Sequence, residues 1–209
     1  MIELFLSAFI TLFVVIDPPG CAPIYAGLTS GASAEQRRSM GVRAVGIAAV
    51  ILLLFALVGR PLLHVLGIGL DAFRIAGGIM LFFIALEMVF ERRTRRREDR
   101  AQKISDTPEV EDVSVFPMAM PMIAGPGSIA TIMLLMAGSH GGAERAVVLA
   151  ALALNLLIML GALLLAGPLM RLVGDKVEAV ITRVLGVLLA ALAVQFVLDG
   201  VRAALLSGR

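Results

Sequence analysis

Ile16-Asp17-Pro18-Pro19-Gly20-Cys21 interrupts an apolar stretch running from Ile2 to Thr29, and Ala124-Gly125-Pro126-Gly127 interrupts a second, from Val115 to Gly138. Proline lacks an amide donor and clashes with the preceding turn, while glycine is costly inside a helix. Each cluster therefore ends one helix and starts another within a segment long enough to cross a bilayer. Lipid cannot satisfy the backbone groups so freed. Irregular backbone at membrane depth persists only where protein covers it or where it lines a polar cavity. The two stretches predict a membrane protein with a site at its helix breaks.

The composition agrees. Hydrophobic residues make up 59% of the 209, charged residues 16%, and the mean hydropathy is +0.97. Soluble domains hold about 45–50% apolar and about 25% charged residues. A net charge of +2, its basic residues in membrane-flanking loops and no aromatic interleaved among them, gives little support to nucleic acid as a partner, and none is expected. The run Arg92-Arg93-Thr94-Arg95-Arg96-Arg97 reads as a topology determinant or an anionic-lipid contact. A lone cysteine, Cys21, excludes an internal disulfide, and His64 and His140 lie too far apart to suggest a metal site. No cofactor is expected beyond Na+ or H+ as a coupling ion. An intramembrane enzyme is not expected either, because no His/Glu metal pair or Ser/Lys dyad falls within the spans.

A span needs about 20 apolar residues, and six candidates follow: Ile2–Thr29, Met40–Val58, Leu70–Phe90, Val113–Gly138, Arg145–Ala166 and Val177–Leu206. The second should end at Gly59-Arg60-Pro61 and the fifth at Gly167-Pro168. The Met1-Ile2-Glu3 start has no basic region, so the first segment reads as a retained span and not as a signal peptide. Between the third and fourth spans lies a charged stretch, basic then acidic, expected to form a cytoplasmic loop over 91–112.

Superposing the two breaks exposes a repeat. At an offset of 107 residues Pro19-Gly20 meets Pro126-Gly127, Pro61 meets Pro168, Gly67 meets Gly174 and Arg38 meets Arg145. At an offset of 108, Gly78 meets Gly186 and Glu87 meets Gln195. A duplicated unit with an odd number of spans inserts its second copy upside down, a recurring transporter architecture. The fold expected is all-α and polytopic: six transmembrane segments as two inverted three-span repeats, residues 1–90 and 113–209, with segments 1 and 4 broken. Loops one, three and five then hold 13 basic residues against five on the other side. Positive charge marks the cytoplasmic face, so both termini are expected to be periplasmic. Re-entrant hairpins at both breaks would give the same count with cytoplasmic termini. The 28 residues of Ile2–Thr29, about 42 Å as helix, favour a full span.

These residues carry a resemblance. Ile16-Asp17-Pro18-Pro19-Gly20-Cys21-Ala22-Pro23, Phe73-Arg74-Ile75-Ala76-Gly77-Gly78-Ile79, the run from Phe116 to Ile129 around Ala124-Gly125-Pro126-Gly127, and Ile181-Thr182-Arg183-Val184-Leu185-Gly186 closely resemble the MarC family of bacterial inner-membrane proteins. The resemblance spans nearly the whole chain. It implies six spans, a bacterial inner-membrane location and kinship with SnatA-type neutral amino-acid transporters. The chain departs from the family pattern at Cys21, where asparagine is usual, and at Tyr25, where phenylalanine is usual; both departures bear on substrate choice.

The breaks also have a chemistry of their own. A half-helix begins after each Pro-Gly, and its first amides lack intrahelical acceptors and carry the positive end of the helix dipole. Such ends suit a carboxylate. The carbonyls that end the upstream half-helices suit an ammonium group or a small cation, so a zwitterionic amino acid matches both. Gly20, Ala22, Gly125, Gly127 and Ala130 allow backbone to approach a ligand closely, and the two half-helices begin at about Cys21 and Ser128, so both residues are counted with the substrate site. Asp17, the single mid-span acid, reads either as the N-cap of the helix that Pro18 starts or as a group binding cation, proton or substrate. Ser128 and Thr131 offer hydroxyls one turn apart, with helix packing as the alternative. Asn155, mid-span in the fifth segment, reads as an interhelical hydrogen bond or a cavity ligand. Glu87 and Gln195 fall near span ends. The function expected is a secondary transporter or exporter of small neutral amino acids, coupled to protons or sodium or to neither. The alternative is a channel-like or non-transporting membrane factor in envelope stress.

Overall fold

The computed structural model describes residues 1–90 and 112–207. The described residues form helices and no strand: α1 (Ile2–Ile16), α2 (Pro18–Leu28), α3 (Ala34–Val65), α4 (Leu70–Val89), α5 (Ser114–Ile123), α6 (Pro126–Gly138), α7 (Gly142–Leu164) and α8 (Ala166–Ser207). Five stretches are long and apolar enough to cross a membrane: Ile2–Leu28, α3, α4, α7 and Val180–Leu206 within α8. The pair α5–α6, bent by 52°, makes a sixth. Val50, Leu57, Phe83, Leu157 and Val187 are each well over half exposed. Apolar belts of that extent belong against lipid chains. The chain is an all-α polytopic membrane protein.

Several boundaries differ from the sequence reading, each for a local reason. α3 starts at a capping box, Gln36 N donating to Ser33 Oγ at 3.2 Å and Ser33 N to Gln36 Oε1 at 2.9 Å. It then runs past Gly59-Arg60-Pro61 to Val65. A long apolar helix carries one proline without ending. The fifth span does stop near Gly167, but with no loop behind it. The chain turns at Leu165 and α8 begins at Ala166. Pro168 falls in the first turn, where its missing amide is not needed. The loop expected at 91–112 lies, apart from Asp112, outside the described residues.

The packing joins the two halves of the chain. Residues of α1–α3 and α5–α7 share the larger apolar cluster, and α4 and α8 form a smaller one with Val14 and Val15 at the end of α1. α4 and α8 lie antiparallel, and glycines set how closely. A Cβ on Gly78 would stand 2.8 Å from Ala193 O and from Val197 Cγ2; one on Gly186 would stand 2.9 Å from Met88 Cβ and 3.0 Å from Val89 Cγ2. The contacts are reciprocal: Gly186 and Val197 follow Gly78 and Val89 by the same 108 residues. The other helices keep the same exchange, α1 and α2 packing on α7 as α5 and α6 pack on α3.

Candidate functional site at the two helix breaks

The first break is one residue wide. Asp17 takes the left-handed conformation, φ 58° and ψ 62°, which short polar side chains tolerate better than others. Helical bonding resumes at once, with Asp17 N donating to Phe13 O at 2.9 Å and Cys21 N to Asp17 O at 3.0 Å. Asp17 is 1% exposed, and its Oδ1 accepts from the Gly20 amide at 3.2 Å. Gly20 is required for that cap, because a Cβ there would strike the Asp17 carboxylate. The cap reading of Asp17 is therefore realised, and the positive end of α2 faces the protein's own carboxylate. Cys21 is fully buried, with Sγ donating to Ile16 O at 3.6 Å.

The second break is wider. α5 departs from helical geometry at Phe116 and Met120, and Pro117 and Pro121 follow cis peptide bonds. Its backbone bonds reach five residues, Met118 N to Val113 O at 3.2 Å and Ala124 N to Ala119 O at 2.9 Å. α6 starts at Pro126 with Gly125 before it, and no side chain caps it. Its first intrahelical bond is Ile129 N to Gly125 O, 3.0 Å. Because Pro126 has no N–H, the buried amides of Gly127 and Ser128 are the donors left without an intrahelical acceptor. Where the first half has Asp17, this half has Ala124. The two breaks share proline and glycine and differ in that a side chain caps the helix after the first and none caps the helix after the second.

The structure brings the breaks together. A Cβ on Gly127 would lie 3.4 Å from Val15 Cγ1, two residues before Asp17. It would also lie 2.6 Å from Ile84 Cδ1 and 3.5 Å from Leu81 Cδ2. The Cα–Cβ direction of Gly127 thus points at apolar packing against α4. Bulk there would disturb packing directly.

Two further residues named from sequence carry unpaired buried atoms. Ser128 is 2% exposed, while Thr131 and Asn155 are fully buried. Asn155 Nδ2 donates to Phe9 O at 3.2 Å and to Ala151 O at 2.9 Å, tying α7 to α1. That is the interhelical bond expected of it. Its Oδ1 has no partner, and neither does Thr131 Oγ1. Buried polar atoms are nearly always satisfied, and each exception asks for an explanation. Thr131 lies one turn beyond Gly127 on α6, and Asn155 of α7 is tied to α1 at Phe9, eight residues before Asp17.

Sequence reasoning missed the contacts that close the far end of the first span. Tyr25 hydroxyl donates to Arg37 O, and Arg37 Nη2 to Thr29 O at 3.2 Å, stitching α2 to α3. Arg43 Nη1 pairs with Asp112 Oδ2 at 2.8 Å, both on the exposed surface. Ser114, whose amide donates to Oδ1 at 3.0 Å, and after it Arg43 hold the Asp112 carboxyl below its ordinary range, against an opposing effect of burial. None of these follows from spacing, since each joins residues whose side chains meet only after helices pack.

Comparison with known proteins is consistent along the chain. The sequence profile described as "MarC family integral membrane protein" matches residues 2–205. A UPF0056 membrane protein of Methanocaldococcus jannaschii is 36% identical over 98% of this chain and 99% of its own length. UPF0056 membrane proteins YhcE of Escherichia coli and YvbG of Bacillus subtilis are each 32% identical, over 93% and 97% of this chain and 90% and 96% of theirs. No solved structure matches. With the broken helices in place and the match running nearly from end to end, the chain belongs to the MarC family of integral membrane proteins.

Proposed function

We propose that this protein is a secondary transporter of small neutral amino acids, located in the bacterial inner membrane with both termini periplasmic. The observation that carries the reading is the asymmetry of the breaks. Asp17 already occupies the positive end of α2, whereas Gly127 and Ser128 at the head of α6 face no acceptor from their own helix. A substrate carboxylate fits those amides. Thr131 Oγ1 and Asn155 Oδ1 are acceptors for an ammonium group, which explains why they are buried and unpaired.

The reciprocal Gly78–Val197 and Gly186–Val89 contacts support two inverted three-span halves, residues 1–90 and 113–209. Such halves rock about a site between their broken helices. In this arrangement Asp17, present in one half only, is the candidate for proton or sodium coupling. Uptake of radiolabelled glycine, alanine or serine into proteoliposomes, with and without ion gradients, tests the reading. Saturable uptake supports it. Its absence for all three, under every gradient, sinks it in favour of a channel-like or non-transporting role.

A further inference from the structure

The seam between α3 and α7 carries two features that the proposed transport site does not use. One is an open apolar groove of about 440 Å³, lined from α3 by Val42, Gly46, Ala49 and Leu53 and from α7 by Leu149 and Leu156, among others. The other is a cavity of about 230 Å³ in which Arg60 and Arg145 stand beside Leu57 and Met136. Leu57 lies one turn beyond Leu53 and Arg145 one turn before Leu149, so the cavity continues the groove toward one membrane face.

Depth and charge say what the seam holds. Arg60 is 11 residues beyond Ala49, and Arg145 is 11 residues before Leu156. At 1.5 Å per residue that is about 16 Å, against about 15 Å for half the hydrocarbon core. The two arginines therefore stand at phosphate depth when the groove is centred in the bilayer. Among the described residues neither has an ion-pair partner.

The opposite end of the seam is built differently. There Gly167 takes the place of Arg60 and Thr29 that of Met136, at the 107-residue offset. Arg37 fills that end, with Nη2 on Thr29 O at 3.2 Å and Nη1 3.5 Å from where a Gly167 Cβ would stand. One end of the seam is closed by the protein's own arginine. The other presents two guanidinium groups at the end of the apolar groove.

We propose that the α3–α7 seam binds a net-anionic phospholipid, its phosphate between Arg60 and Arg145 and one acyl chain in the groove. Guanidinium pairs suit phosphate oxygens. A zwitterionic lipid brings its own cation and gains less, and a soluble anion gains nothing from the groove.

The test uses the full-length protein, delipidated in detergent, with bound lipid counted by native mass spectrometry. Dioleoyl-phosphatidylglycerol and dioleoyl-phosphatidylcholine compete in the same sample. Each arginine near an anionic headgroup is worth roughly fivefold, so the wild type should prefer phosphatidylglycerol by about thirtyfold. Arg60→Gln with Arg145→Gln should bring the preference close to one. Gly46→Leu fills open space, since nothing lies within 4 Å of its Cβ position. It should lower retention of both lipids without changing their ratio. Glycerol 3-phosphate should not displace the lipid. Equal retention by the wild type overturns the proposal without any variant. So do a preference that survives the double substitution, displacement by glycerol 3-phosphate, or an equal loss in Arg202→Gln, which would indicate surface charge in general.

Discussion

Substitution of Asp17 separates the two roles open to it. Its backbone is left-handed and its carboxylate caps Gly20 at 3.2 Å, at 1% exposure. Asparagine tolerates the same conformation and caps as well as aspartate, so Asp17→Asn removes charge alone. Glycine accepts the backbone and gives up the capping oxygen, at a cost of a few tenths of a kcal/mol. Alanine suits neither: about 1 kcal/mol for the cap and about 1–2 kcal/mol for the left-handed residue, together about 2–3 kcal/mol. Thermal unfolding in detergent should then rank Asn with wild type, Gly slightly below and Ala lowest. Proteoliposomes read the charge separately. Asp17→Asn should weaken gradient-driven uptake while exchange at equal concentrations continues. An Ala variant that melts with wild type refutes the capping argument. An Asn variant as unstable as Ala assigns the stability to the charge. Unchanged gradient-driven uptake in Asn removes Asp17 from coupling, and equal loss of uptake and exchange makes it a binding group.

Thr131→Val removes an unpaired buried hydroxyl at nearly constant shape, so the melting temperature should hold or rise while substrate binding falls; intact binding by titration calorimetry would exclude the hydroxyl as a ligand. Gly78→Val and Gly186→Val press on backbone of the facing helix and should both prevent recovery of monodisperse protein, whereas Gly27→Ala meets nothing within 4 Å and should be silent. A reporter fused after Arg209 should behave as periplasmic; a cytoplasmic result favours re-entrant hairpins. The depressed Asp112 carboxyl contributes stability above the ordinary carboxylate pKa of about 4 and loses it as pH falls through its lower folded value. Arg43→Gln should therefore raise the pH at which acid begins to unfold the protein, followed by circular dichroism.

The sequence by itself determined that this is an all-α membrane protein, where most spans lie, and which residues break them. Those facts are local: apolar run length decides a span, and proline with glycine interrupts a helix whatever surrounds it. The same logic offered Asp17 as the cap of the helix that Pro18 starts, because a cap and the amides it meets are only two or three residues apart in the chain. Proline position alone misjudged Pro61, since whether a proline ends a helix depends on the apolar length beyond it; near Pro168 the span ends as read, with the next helix starting at once. Only the tertiary structure decided that the breaks, 107 residues apart in the chain, meet, with Gly127 against Val15. Only it left Thr131 Oγ1 and Asn155 Oδ1 without partners, turned the Cβ direction of Gly127 toward Ile84, and set Arg60 beside Arg145. Those are properties of side-chain atoms from helices far apart in the chain, and their meeting follows from how closely helices pack, which no local period encodes.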